Sequence, residues 1–229
     1  MLQETIKKTE VVIAAINEEK GIGLTISEMS RYLRSNRIVV VDGRSEDRTV
    51  EVAKDLGAEI LLQSGIGKGD AMFKALTSLD PTVDYIVFTD ADYTYPAEHV
   101  PSMLELLEQN PSVGMVCGNR INGEVNSKAL HPQFYVGNKM LALAHNLLNG
   151  VDLEDPLTGL RVVRAEILRN WKQQSKGFDV EVELNDMVKK QGYSIVEIPI
   201  YYRERIGEKK LKIKHGAVIL RRIIMQTLR

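Results

Sequence analysis

The feature that most constrains this chain is an alternation. Short, continuously apolar runs stand at residues 11–15, 38–41, 59–62, 85–89 and 113–117, and helix-like patterns follow the first four at 21–33, 49–56, 68–79 and 98–109. A strand that is apolar on both faces belongs inside a covered sheet, and a regular strand–helix rhythm builds a parallel one. The first 120 residues therefore read as an α/β half of the kind that binds nucleotides. After Arg120 the rhythm changes to a polar loop at 122–128, a helix at 133–149, a turn-rich stretch at 150–159, a strand at 160–163, a helix at 181–191 and a strand at 194–201. No internal repeat and no Pro/Ser-rich linker interrupts it, so the expectation is one domain with an elaborated second half.

Composition narrows the class. With 44% hydrophobic and 27% charged residues in 229, the chain is neither disordered nor collagen-like, and it is long enough to bury one sizeable core. Its single cysteine, Cys117, excludes an internal disulfide and a cysteine-based zinc site, and suggests a reducing compartment. The net charge of -1 hides an asymmetry: residues 203–229 hold nine Lys/Arg against two Glu, a surplus of +7 that leaves -8 on the first 202. Charge segregated in this way points to a polyanionic surface at one end. No run of 18 apolar residues occurs, and the N-terminal apolar stretch is too short and too soon acidic for a signal peptide, so the expected location is the cytoplasmic side.

Ligands of open α/β sheets gather at the carboxyl ends of strands, and every strand end here is polar. Asn17 and Glu18 follow the first run; Asp42, Gly43, Ser45 and Asp47 the second; Gln63, Ser64, Gly67, Lys68 and Gly69 the third; Asp90 and Asp92 the fourth. Two carboxylates two residues apart at a strand end point into one pocket, and a divalent cation relieves their repulsion while keeping positions free for phosphate oxygens. Oxygen-only ligands select Mg2+ or Mn2+ over zinc. The alternative is a pair of solvated acids before a helix start. The glycine-rich stretch 64–71 lacks Walker A spacing but opens a helix, so its amides and the Lys68 ammonium are candidates to receive a phosphate; otherwise it is a turn using glycine at positive φ. Asp42 to Thr49 reads either as a turn and helix cap or as an acid that accepts hydrogen bonds from a nucleoside.

Taken in order, AxxNEE, VDGRSEDRT, QSGIGKGDA, DAD, GNR, DPLTGLRVV and GFDVEVEL resemble the family-2 glycosyltransferases of GT-A fold, specifically the polyprenyl-phosphate sugar synthases such as the dolichyl-phosphate mannose synthases. Within that group the chain looks most like archaeal dolichyl-phosphate hexose or N-acetylhexosamine synthases. The resemblance spans residues 10–212. It implies a Rossmann-like three-layer α/β/α fold with a mostly parallel sheet. It further implies that Asn17, Glu18 and Asp42 hold the nucleoside, that Gly67, Lys68 and Asp70 lie beside the donor, that Asp90 and Asp92 handle ribose and metal, and that Arg120 meets the phosphates. The chain departs from the family pattern at Ala14 and Ile16, where proline and tyrosine are usual, at Gly43, where a second acid stands, and at Thr94, where glutamine is frequent.

Residues 155–161 resemble the family's acceptor-loop stretch, which implies roles for Thr158 and Arg161; on residue type alone this is a Pro-Gly turn into a strand. Glu183 lies in a segment that resembles the family's GFxxxxE motif, near the acceptor phosphate or a closing loop. Residues 205–211 resemble an RxGxSKL signature with Lys209 in the serine position, and Arg205 and Lys210 have the chemistry to clamp a phosphate. Residues 211–228 then form a basic amphipathic helix suited to an anionic bilayer, or else a helix packed on its own domain or on a second copy. The expected division is a catalytic domain at 1–202 and a basic loop with a membrane-surface helix at 203–229. Many members of the family it resembles continue into transmembrane helices after this point whereas this sequence stops, so a peripheral protein or one with a membrane-anchoring partner is expected.

The resemblance implies a metal-dependent, inverting transfer of a sugar from a nucleoside diphosphate (UDP or GDP carrying glucose, N-acetylglucosamine or mannose) to polyprenyl phosphate, with no nucleic-acid partner. The rival readings are a GT-A enzyme with a soluble acceptor, a nucleotidyltransferase, and a non-catalytic nucleotide-binding subunit.

Overall fold

The computed structural model describes residues 7–33, 37–121, 132–169 and 171–228. The polar loop expected at 122–128 lies outside them. Seven strands form one sheet in the order β3-β2-β1-β4-β6-β5-β7. They are β1 (Thr9–Ala15), β2 (Arg37–Asp42), β3 (Glu59–Leu62), β4 (Tyr85–Asp90), β5 (Val113–Asn119), β6 (Arg161–Arg164) and β7 (Ser194–Pro199). All neighbours run parallel except β6, which lies antiparallel between β4 and β5. The helices are α1 (Ile22–Tyr32), α2 (Thr49–Asp55), α3 (Lys68–Leu76), α4 (Val100–Gln109), α5 (Pro132–Asn149), α6 (Ala165–Arg169), α7 (Val180–Lys190) and α8 (Lys214–Thr227). This is a GT-A-like α/β architecture.

The period of two in β1 explains the layering. Val11, Ile13 and Ala15 face a core closed by Ile22, Ile26 and Met29 of α1, Ala53 of α2, and Val100, Met103 and Leu107 of α4. Val12 faces the other core, closed by Ala71, Met72 and Ala75 of α3, Ile167 of α6, and Val180, Leu184 and Val188 of α7. Because both faces are covered, β1, β4 and β5 are buried almost throughout. A third, smaller cluster joins Val182 of α7 to Ile219 and Ile223 of α8, with Leu141 and Ala144 of α5 packed against it.

Most element ends fall within two residues of the sequence pattern, and two departures have a clear cause. The third helix stops at Leu76 rather than 79, because the hydroxyls of Thr77 and Ser78 bond back to the carbonyls of Lys74 and Ala75, and Asp80 precedes a proline that disfavours helix. Helix α6, a single short turn straight after β6, carries too few residues for its period to register in the sequence.

Candidate active site

Strand order reverses between β1 and β4, the place where an open α/β sheet leaves a crevice at its carboxyl edge. Register puts Ala14 opposite Asp90 and Ala15 opposite Asp42, so the loops after β1, β2 and β4 share that edge. The first two loops are stitched together. The Asn17 amide donates to Ser45 Oγ at 2.9 Å, Asn17 Oδ1 accepts the Glu46 amide at 2.8 Å, and the Glu18 amide donates to Thr49 Oγ1 at 2.7 Å. Asp42, nearly inaccessible, accepts the Arg44 amide at 2.9 Å and the Ser45 hydroxyl at 2.6 Å. Its carboxylate caps the turn.

The acids after β4 are matched by two cations from distant segments. Lys68, the first residue of α3, places Nζ 2.6 Å from Asp90 Oδ1 and 2.8 Å from Glu181 Oε1. Arg205 donates through Nη1 to Asp92 Oδ2 at 2.5 Å and through Nη2 to Glu18 Oε1. Lys210 lies 3.9 Å from that Glu18 oxygen and donates to the Asn17 carbonyl at 3.3 Å. The amides of Arg203 and Ile206 bond the carbonyls of Thr94 at 3.0 Å and Asp92 at 3.2 Å, which fixes residues 203–206 as a strap across the crevice. The structure thus brings Glu18, Lys68, Asp90, Asp92, Arg205 and Lys210 together.

Their electrostatics follow from burial and neighbours. Burial alone would raise the Asp90 carboxyl, but the Lys68 ammonium, joined by the charges of Arg205 and Arg120, outweighs it and holds that carboxyl below its usual range. Asp92 is raised, first by burial and then by the Asp90 charge. Burial pushes Glu18 up to about 7 against the pull of Arg205 and Lys210. The Lys68 ammonium is held above its ordinary value because Asp90 and Glu181 together exceed the cost of burying it.

Among the described residues no three His, Cys, Asp or Glu side chains gather as a metal centre. The Asp90–Asp92 pair nevertheless suits a hard cation: both are oxygen donors, Asp90 keeps a side chain 31% exposed, and Asp92 is held in place by Thr94, whose hydroxyl donates to its Oδ1 at 2.6 Å. A cation there would take the remaining positions of its shell from ligand oxygens, and Asp92 Oδ2 would have to leave Arg205.

The glycine-rich loop is closed by protein. Gly67 has φ +96°, and a side chain at Gly67 or Gly69 would run into the carbonyls of Lys176 or Ser175. The amides of Gly69 and Asp70 donate to the carbonyls of Gly177 and Lys176, each at 3.2 Å, and Asp70 Oδ2 accepts the Gly65 amide at 2.7 Å. The ammonium of Lys68, rather than these amides, therefore faces the crevice.

On the far side, Arg120 forms a two-pronged pair with buried Asp155, Nε to Oδ2 and Nη2 to Oδ1 both at 2.7 Å, and lies 5.4 Å from the centre of the Tyr202 ring. Thr158 and Arg161 are packed inside. The Arg161 guanidinium is tied to the carbonyls of Thr158 at 2.9 Å and Pro156 at 2.6 Å and to Asn185 Oδ1 at 2.5 Å. Glu183 accepts the indole N–H of Trp171 at 3.2 Å and the amides of Gln174 at 2.7 Å and Ser175 at 2.6 Å, so it shapes the loop that backs the glycine stretch. The residue of this motif that reaches the acid cluster is Glu181, two positions earlier. The GFxxxxE spacing points to Glu183 and away from Glu181, and only the phase of α7 shows which carboxylate meets the cluster.

A cleft of about 120 Å³ opens beside the cluster, lined by Arg120, Phe134 and Asn138, by Phe178 and Glu181, and by Ile213 and Ile219. Helix α8 borders it. Its Ile219 and Ile223 are buried, whereas Val218, Leu220 and Ile224, and Leu228 just beyond its end, are exposed, as are Val136, Met140, Leu143 and Leu147 along one face of the neighbouring α5. Arg222 is engaged with Asp179 at 3.0 Å. Among the described residues no helix is long and apolar enough to cross a membrane.

An acid pair at the switch point of a GT-A-like sheet, with cations held around it, has the chemistry to receive a phosphorylated ligand. The chain belongs to glycosyl transferase family 2, whose model matches residues 10–172, and is a glycosyltransferase of the hexosyltransferase class. It is 34% identical over 228 residues, covering 98% of this chain and 96% of the relative, to a dolichyl-phosphate hexose transferase of Haloferax volcanii. A dolichol-phosphate mannosyltransferase of Pyrococcus furiosus is 25% identical across 94% of this chain and 62% of its own length. Among solved structures, glucosyl-3-phosphoglycerate synthase of Mycobacterium tuberculosis, in complex with Mn2+, UDP and glucosyl-3-phosphoglycerate, superposes with a TM-score of 0.71 at 20% identity, covering 97% of this chain and 79% of that one.

Proposed function

We propose that this glycosyltransferase moves a hexose, with inversion, from a nucleoside diphosphate sugar to dolichyl or another polyprenyl phosphate, at the cytoplasmic face of a membrane. One observation carries the reading. The Lys68–Asp90–Asp92–Arg205 cluster at the switch point is joined, through the ion pair of Lys68 with Glu181, to a largely apolar cleft that Glu181 lines and that two helices with exposed apolar rows border. A charged donor end thus meets an apolar acceptor end. The names of the Haloferax and Pyrococcus relatives support the acceptor class.

In the reaction, a phosphate oxygen of the acceptor bonds to the anomeric carbon while the bond from that carbon to the donor's β-phosphate oxygen breaks, and the electron pair leaves with the nucleoside diphosphate. The acceptor needs no strong base, because a phosphate monoester with a second pKa of about 6 is already mostly a dianion at neutral pH. Catalysis then rests on preorganised positive charge at the leaving group. Lys68, buried and anchored by Asp90 and Glu181, is one such charge. Arg205 is a second, once donor oxygens replace Asp92 and Glu18 as its partners. Asp90 and Asp92 would hold Mg2+ or Mn2+, which supplies Lewis-acid stabilisation of the departing diphosphate when bound. Glu18 Oε2, buried with no partner among the described residues, is a ready acceptor for a nucleoside hydroxyl or N–H. Arg120, held by Asp155 at the cleft wall, faces the acceptor side.

Lys209, Lys212 and Lys214, with α8, would seat this end on anionic lipid, each Lys or Arg near the surface adding on the order of 1 kcal/mol. The exposed row on α5 extends that apolar face. The test supplies purified protein with labelled UDP- and GDP-hexoses, Mn2+ and dolichyl phosphate in anionic vesicles. Label passing into the organic phase supports the reading. Label appearing only in a water-soluble acceptor such as a glycerate, or in neither, refutes it.

A further inference from the structure

Glu181 is the one group of the acid cluster to which the proposed reaction assigns no contact with substrate, and its surroundings are those of a ligand-binding side chain. Only 6% of the side chain is exposed. One carboxylate oxygen, Oε1, receives the Lys68 ammonium at 2.8 Å, whereas Oε2 is buried with no hydrogen-bond partner among the described residues. A buried carboxylate oxygen left without a donor is costly, and folded proteins rarely retain one unless water or a ligand completes it. Charge near a helix start accounts for an acid in the first turn of α7, yet it does not account for an oxygen that takes no donor.

The position of Glu181 identifies what completes it. Through Lys68 it is one ion pair removed from Asp90, the donor end, and it also lines the apolar cleft that receives the acceptor, together with Arg120, Asn138 and Phe178. In a direct displacement the transferred group sits between leaving group and nucleophile, so it must pass this side chain. A sugar at that junction presents hydroxyl groups, which donate hydrogen bonds. A diphosphate or an acceptor phosphate is an anion that a carboxylate would repel. We propose that Glu181 is a specificity-determining residue that accepts a hydrogen bond from a hydroxyl of the transferred hexose, with Lys68 holding the carboxylate in place. The inference rests on the nucleotide-sugar reading and adds to it the contact that tells one sugar from another.

The test is a cycle of kcat/KM values for wild type and Glu181→Gln, using the natural donor and a series of its single-deoxy analogues. A hydrogen bond to a charged acceptor corresponds to roughly 10- to 100-fold in rate. One deoxy position should cost wild type about that factor, whereas in Glu181→Gln the same deoxy donor should be used within about threefold of the natural one. Binding of the bare nucleoside diphosphate, followed by calorimetry, reports whether Lys68 and the fold are intact in the variant and should be unchanged or tighter. Should Glu181→Gln fail to bind it, Glu181→Asp, which keeps the charge and withdraws the oxygen, takes its place in the same cycle. If every deoxy donor penalises variant and wild type equally, the assignment is overturned. If wild type transfers no sugar from any nucleotide donor, it is the underlying reading that fails, and the two failures are told apart by the wild-type arm alone.

Discussion

Replacing Arg205 by methionine tests whether the strap serves as counter-charge for the acid cluster. The two carboxylates it pairs with, Glu18 and Asp92, have side chains only 5% and 4% exposed. Removing one partner of a buried pair costs about 3–5 kcal/mol, because the other charge stays behind. Arg205 is itself 25% exposed, and Lys210 remains 3.9 Å from Glu18, so the lower end, about 3 kcal/mol, applies at pH 8, above the folded value of Glu18. At pH 5 the balance changes. Glu18, raised to about 7 by burial, is then protonated in the folded state and no longer needs the guanidinium, so the cost falls to about half or less. A carboxyl with its folded value above its unfolded one stabilises below about 4.5 and loses that contribution as pH rises through 7, and the loss is steeper without Arg205. For a chain of this size each kcal/mol moves Tm by about 2–4 °C. In nucleotide- and metal-free buffer the variant should therefore melt about 6–12 °C below wild type at pH 8 and no more than about 3–6 °C below it at pH 5. Equal drops at the two pH values would refute the argument, since they would mean that Glu18 does not titrate against this guanidinium.

Asp92→Ala should lower transfer by roughly 100-fold or more while Tm stays within a few degrees, measured by product formation and thermal melting; normal turnover would remove Asp92 from the chemistry. Gly67→Ala should cost about 2 kcal/mol, since a methyl at φ +96° would press on the Lys176 carbonyl, and unchanged urea unfolding would show that this loop is not closed as described. Leu220→Glu with Ile224→Glu, both on the exposed face of α8, should release the protein from anionic vesicles without altering its melting; retained flotation with lipid would make α8 a packing helix alone. Ile223→Glu, by contrast, should destabilise the fold, because that side chain is buried against Val182.

Much of this molecule was legible in the order of its residues. The period of continuous apolar runs set the parallel layers, since a strand with two covered faces has no polar position to spare, and the polar residues after each run marked the working edge of the sheet. Asp90 and Asp92 were visible for that reason, as was the basic amphipathic character of residues 211–228. What remained hidden depends on pairings between segments far apart in sequence. That Arg205 closes on Glu18 and Asp92, that Lys68 bridges Asp90 to Glu181, and that Arg161 and Glu183 spend their polar atoms on neighbouring loops are outcomes of chain topology and helix phase. Glu181 and Glu183 show the distinction most clearly. They are the same residue type two positions apart, and a helix turns about 200° between them, so the rotation of α7 against the sheet decides which carboxylate meets the crevice and which supports a loop.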